Sequence, residues 1–339
     1  MELFNTLQQL TAAPGPAGFE GSVAALIAEL AAPYADNIYI DKLGTVRCIR
    51  SGRQPETTRQ TLLLDAHIDE PSLIVTHHED DFLRVGTVGK IDVSQLPGQQ
   101  VTVLAGETPL TGFIPLLPPH LLQPGEKAFS PDNLVVDVGL SGEALKQAVP
   151  LGTPVVYDAP LAPFGDGMAT GKALHSRAGV AAALYALKLL SGKQLPFDVA
   201  VAGSVRRGVD AVGAVVTARA LRPTWALVAE GVPATDNGRG IRLSDGIGIG
   251  TGPNFDPTLR EIVEHVAAQQ SIASRPYVTV SREKNNAKEI QALHTGIPTA
   301  LLGIPVQGLY SPVEVVRLSA IALAGRLMAG VAEALAADF

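Results

Sequence analysis

The chain has 339 residues, and at roughly 150 residues per domain that length points to about two domains. Hydrophobic residues make up 46% and charged residues 17%, which excludes a disordered chain and allows a large buried core. A net charge of -7 argues against nucleic acid as a partner, and Cys48, the single cysteine, excludes an intrachain disulfide.

Residues 2–13 read as a short helix with Leu3, Leu7 and Leu10 on one face, ended by Pro14-Gly15-Pro16. A second amphipathic helix is expected over residues 18–32, and a hairpin over 37–49 with its turn near Lys42–Gly44. TLLLDA, residues 61–66, is a short apolar run typical of a strand buried on both faces. Residues 72–160 change character: Val, Thr, Gly and Pro dominate, and alternating runs such as FLRVGTV, QQVTVLA and NLVVDVG predict strands, with one short helix near Ser141–Ala148. After Gly171 a helix is expected over 176–190, with a serine at its start and Gly192 just past its end. FDVAVAGS, WALVAEG and PTALLGIPV read as buried strands, and residues 256–270 and 313–336 as helices.

This order predicts an α/β fold: a mixed, largely parallel sheet flanked by helices, built from residues 1–71 and 161–339. An inserted, small β-barrel-like domain over 72–160 interrupts it. MELFNTLQQL lacks a basic segment followed by an apolar one, so no signal peptide is expected. No apolar run approaches about 18 residues, so no membrane span is expected either. With one cysteine, a reducing cytoplasm fits.

Ligands of open α/β sheets bind beyond the carboxyl ends of the strands. Five segments place polar residues at that edge: His67-Ile68-Asp69-Glu70, Ser204-Val205-Arg206-Arg207, Glu230, the stretch carrying Tyr310, and His175 ahead of the helix at Ser176. Strand ends meeting water explain any one of these, but explain all five together less well. His67-x-Asp69 is the most telling, because residues two apart on a strand point the same way. A carboxylate there can hold the imidazole in the tautomer that binds a metal.

Several stretches carry a family resemblance: LTAAPGPAGFE, IDKLGTV, LLLDAHIDE, LPGQQVTV, PPHLLQPGE, GKALHSRAG and GIPTALLGIPVQGLYSPVE, in this order over nearly the whole chain. The sequence resembles the TET/glutamyl-aminopeptidase-like co-catalytic metallo-aminopeptidases, also labelled cellulase M or endoglucanase. The resemblance implies a zinc-exopeptidase-like fold, peptidase activity at peptide N-termini, and homo-oligomers built from dimers. It also implies two metal ions bridged by an aspartate, with a glutamate as general base.

The correspondence is incomplete. His67 keeps a metal-ligand position and Asp69 its supporting role of orienting His67. The bridging aspartate falls on His175 and the next aspartate on Ser176. The paired glutamates fall on Arg206-Arg207 or on Arg207-Gly208; the next ligand falls on Glu230 and the last on Tyr310. The segment near the substrate reads Asn285-Asn286-Ala287. His67, His175 and Glu230 still make a reasonable set for one zinc, cobalt or manganese ion, with an open fourth position. A second ion would meet arginine, which cannot be deprotonated and repels cations.

The expectation is therefore at most one metal, or none, and weak or lost peptidase activity. The alternatives are an active mononuclear-zinc aminopeptidase, or a non-catalytic relative whose arginines bind a small anionic ligand instead of a peptide. Arg206 and Arg207 can equally form surface salt bridges. His77 and His78 read as a solvated turn, His120 as loop packing, and Trp225 and Cys48 as core residues.

Overall fold

The computed structural model describes residues 3–55, 60–116, 120, 134–235, 240–279 and 285–337. Its first half contains α1 (Leu3–Ala12), α2 (Gly21–Ala31), β1 (Asn37–Ile40), β2 (Val46–Arg50), β3 (Thr61–His67), β4 (Ser72–Glu79), β5 (Phe82–Val88), β6 (Gln100–Val103), β7 (Leu110–Phe113), β8 (Val135–Val136), α3 (Gly142–Ala148) and β9 (Pro154–Tyr157). The second half contains β10 (Ala162–Phe164), β11 (Met168–Gly171), α4 (Leu174–Leu189), β12 (Asp198–Ser204), α5 (Val212–Leu221), β13 (Trp225–Pro233), β14 (Ile247–Thr251), α6 (Pro257–Gln269), β15 (Ser274–Val278), α7 (Asn286–Gln291), β16 (Thr299–Gln307), β17 (Glu314–Arg317) and α8 (Leu318–Ala337).

The strands form two sheets. The larger runs β1-β2-β12-β3-β13-β16-β17-β11-β10, with β14 and β15 branching from β16. Its four central strands, β12, β3, β13 and β16, are parallel, and the flanks are antiparallel. Alternation decides what each face carries. Leu62, Leu64, Ala66 and Ile68 face the large core under α1, α2, α4, α6 and α8. Leu63 points the other way, toward Ala214 and Ala218 of α5 and Ala287 and Ile290 of α7. Asp65 and His67 follow Leu63 by steps of two, so they lie on that second face.

The smaller sheet is built wholly from residues 72–157, in the order β7-β6-β9-β4-β5-β8. A bridge between Phe113 and Asp137 brings its two ends together, so it is nearly a closed barrel. Leu73, Val85, Val101 and Val155 fill it.

Three local readings need correction. The helix expected over 313–336 begins only at Leu318, because Glu314–Arg317 pairs with β11 and β16 as a strand. Val315 and Val316 suit that extended backbone. His77 and His78 lie on β4 rather than in a turn, with a ring nitrogen of His78 2.8 Å from the Val149 carbonyl. Trp225 is only partly buried and packs edge-on against Phe197. Among the described residues one helix, α8, is long and apolar enough to cross a membrane; most of it is buried, and it packs against α4.

Candidate metal centre

Three elements deliver the central side chains. His67 ends β3, Glu230 lies within β13, and His175 sits at the start of α4. In the parallel register Trp225 is level with Leu62 and Val228 with Asp65, and continuing it carries Glu230 level with His67. Glycine makes room for the third residue. A Cβ on Gly231 would lie 2.7 Å from His175 Nδ1, and one on Gly179 would lie 2.4 Å from the Ala229 carbonyl oxygen. Only bare backbone lets α4 approach β13 so closely. Glu314 then fixes the turn into α4 by accepting the His175 N–H at 2.9 Å, and Ser176 Oγ donates to the Ala229 carbonyl at 3.2 Å.

The result is a set of one ligand atom each from His67, His175 and Glu230, all within 4.8 Å of one another. The three residues are buried, at 5%, 8% and 5% exposure. His67 Nδ1 and Nε2, His175 Nδ1 and Glu230 Oε2 have no hydrogen-bond partner among the described residues. Buried polar atoms are rarely left unpaired, so unpartnered atoms on three residues that each bring a ligand atom within 4.8 Å of the others fit a cation. Burial, then the charges of His67 and Arg207, push His175 well below its usual range, so its ring is neutral and able to ligate.

The surroundings differ from a two-metal site. Arg207 Nη2 donates to Glu230 Oε1 at 3.0 Å, so a guanidinium holds one oxygen of the ligand carboxylate. The Tyr310 ring stands edge-on to His175 at 6.0 Å. Arg207 thus sets a fixed positive charge beside the ligand carboxylate.

Asp69 Oδ1 lies 3.4 Å from His67 Nδ1 and acts on the ring through charge, without a short hydrogen bond to it. Its oxygens instead accept the N–H groups of Arg207 at 2.8 Å and Gly208 at 2.6 Å. Burial opposes its charge, but His67 and those two N–H groups outweigh burial and hold Asp69 below the usual carboxylate range.

These residues open into a cavity of about 530 Å³. His67, Asp69, His175, Arg207, Gly208, Glu230, Asn285 and Tyr310 line it. Asn285 caps α7 by accepting the Lys288 N–H at 2.8 Å. Two expected residues are not in the lining. Arg206 has a positive φ of 61°, and its N–H is held by Glu20 at 2.8 Å. Asn286 lies beneath the cavity and donates to Asp65 Oδ2 at 2.7 Å. His120 is exposed.

Sequence reasoning missed four residues that support the site. Asp65 is fully buried between Ser204 and Asn286, and burial pushes it up to about 6. Burial likewise pushes Glu314 up to about 8 against the N–H groups of His175, Tyr310 and Leu174. Arg177 is fully buried, donates to the Ile68 carbonyl at 2.6 Å, and ties the end of α1 to the exit of β3. Lys90 lines the cavity with its ammonium 4.3 Å from the Tyr310 ring centre. Asp65 was visible as the one carboxylate inside an otherwise apolar strand, and Arg177 and Glu314 lay in two stretches that carry the family resemblance; Lys90 carried no local signal.

Known proteins agree with this architecture. A lysyl aminopeptidase of Pyrococcus furiosus is 26% identical over 91% of this chain and 90% of its own length. The TET aminopeptidase of Thaumarchaeota archaeon SCGC AB-539-E09 superposes with a TM-score of 0.92 at 28% identity, covering 99% of this chain and 97% of that one. PhTET1, solved as a dodecamer, superposes with a TM-score of 0.87 at 25% identity, covering 98% and 99%. The sequence model of the M42 glutamyl aminopeptidases matches residues 44–327, and the chain belongs to that family.

Proposed function

We propose that this M42-family chain binds at most one metal ion, through His67, His175 and Glu230, and has weak or no peptidase activity. The observation that carries this reading is the 3.0 Å pair between Arg207 and Glu230. A fixed cation already stands against the ligand carboxylate, on Oε1, the oxygen 4.0 Å from His175 Nε2. When bound, a zinc, cobalt or manganese ion supplies Lewis-acid activation of a carbonyl or of water.

Hydrolysis also needs a base, worth roughly 10²–10⁴-fold. Among the described residues only Asp69 and Glu230 bring carboxylates to the cavity lining. Glu230 is shared between the metal position and Arg207, and Asp69 holds the backbone of residues 207 and 208. Neither is free to take a proton from attacking water.

Metal analysis by mass spectrometry of the zinc-exposed protein tests the metal reading, with His67→Ala as control. About one zinc per chain, lost in the variant, is expected; two would overturn it. Leucine- and glutamate-p-nitroanilide tested with added zinc or cobalt should show little turnover. Robust turnover abolished by a chelator would instead establish an active aminopeptidase.

We also infer that the chain forms a homo-oligomer. The likeness to PhTET1, which forms a dodecamer, supports this. Native mass spectrometry should show a multiple of the 35.3 kDa chain; a monomer across micromolar concentrations overturns it.

A further inference from the structure

Lys90 follows β5 of the smaller sheet but reaches the site of the larger one. The backbone fixes this reach. Gly89 and Gly208 touch: a Cβ on Gly208 would lie 3.4 Å from Gly89 Cα. The Asp92 N–H donates to the Tyr310 carbonyl at 3.0 Å. Lys90 and Arg207 therefore flank one backbone contact, and both line the cavity. Between them runs a chain of neighbours: Arg207 beside Glu230, Glu230 4.0 Å from His175, His175 against Tyr310, and Tyr310 under the Lys90 ammonium.

The charges along this chain do not balance. Glu230 is matched by Arg207, and Asp69 by two N–H groups. Lys90 forms no ion pair with a carboxylate among the described residues, and its ammonium stands over the Tyr310 ring. A metal ion at the triad adds further positive charge. A substrate presenting an ammonium group would be repelled, whereas an oxyanion would be attracted from both sides.

We propose that Lys90 and Arg207 together recognise a small oxyanion, a carboxylate or phosphate group on a molecule with no ammonium beside it. This rests on the single-metal reading proposed above, in which Arg207 is the fixed cation beside Glu230 in place of a second ion. It differs from that reading in naming Lys90 as a recognition residue and the ligand's charge as the selected property.

Isothermal titration calorimetry on the zinc-exposed full chain tests it. The probes are glutarate, inorganic phosphate, and 1,5-diaminopentane, which has the span of glutarate with the charges reversed. Glutarate or phosphate should bind, and the diamine should not; which anion binds more tightly identifies the oxyanion. Lys90→Met should weaken anion binding by about tenfold or more, since hydrogen bonds to charged groups carry that much. Lys90→Arg should retain it. Lys90 is exposed, so both variants should keep the zinc content and circular dichroism of the parent.

Equal anion affinity in Lys90→Met overturns the proposal, as does tighter binding of the diamine or no binding of either anion. Zinc content measured on the same samples separates the two claims. Two zinc ions per chain overturn the reading of the second-metal position, whereas Lys90-independent binding at one zinc overturns only this proposal.

Discussion

Arg207 reaches Glu230 at 3.0 Å while remaining about one-fifth exposed. It compensates a buried carboxylate in the metal-free protein and opposes a cation in the metal-bound one. Arg207→Met should therefore act in two directions. Without metal, Glu230 Oε1 loses its charged donor, and the fold should lose about 1–3 kcal/mol, seen as a lower Tm. With metal, repulsion is relieved, and zinc should bind roughly tenfold more tightly or better in competition with a chromogenic chelator. Unchanged or weaker zinc affinity would mean that the guanidinium does not compete with the ion. Cys48 gives a residue-scale check on the core. Burial pushes its thiol from the ordinary 9.0 up to about 12. Its contribution to stability is thus complete below pH 9 and is lost as the pH rises toward 12. A thiol reagent at pH 8 should leave Cys48 unmodified in the folded chain and label it fully in denaturant, because the thiolate is the nucleophile.

Between elements, the decisive contact is α4 against β13. Gly179→Ala places a methyl group 2.4 Å from the Ala229 carbonyl oxygen, so α4 must lift away. That should cost about 1–3 kcal/mol, as overpacking usually does, and it should weaken zinc binding because His175 moves with α4 while His67 and Glu230 stay. A lower Tm with unchanged zinc affinity would show that His175 is positioned from elsewhere. This contact also marks where the sequence was legible. TLLLDA, FDVAVAGS and PTALLGIPV read as strands because all three are apolar on both faces, and the polar residues at their ends pointed to the correct sheet edge. The start of α4 was less legible. Ser176 looked like a cap, but it makes no capping bond, and both His175 and Ser176 have non-helical backbone. The helix α5, VGAVVTARAL, carries β-branched valines and threonine and one glycine and was not predicted, yet Ala214 and Ala218 pack under the sheet. Within the site, strand polarity put His67, His175 and Glu230 among five polar segments at one sheet edge, and the family resemblance singled out these three as ligands. The split between Arg206 and Arg207 was not legible, because it depends on one left-handed residue and on Glu20, far away in sequence.

At the scale of the whole molecule, two apolar cores meet at few points. The smaller sheet has its own core around Leu73, Val101 and Val155, separate from the large one. Joining them are the Gly89–Gly208 contact, the Asp92–Tyr310 hydrogen bond and the Lys90 ammonium 4.3 Å from the Tyr310 ring centre. The metal triad, by contrast, draws on β3, α4 and β13 alone. Linkage then predicts an unequal response to zinc. A ligand stabilises only openings that disrupt its site, by about 4 kcal/mol at a thousandfold excess over Kd. Hydrogen exchange read by mass spectrometry should show zinc slowing exchange in residues 61–67, 174–189 and 225–233. Residues 82–88, 100–103 and 154–157 should exchange at the same rate with and without it, because they can open while the triad stays intact. Equal slowing in both sets would mean that the three contacts couple the cores into one cooperative unit. In that case Lys90 would be held as rigidly as His67, and zinc would order the anion-recognition pair as well as its own ligands.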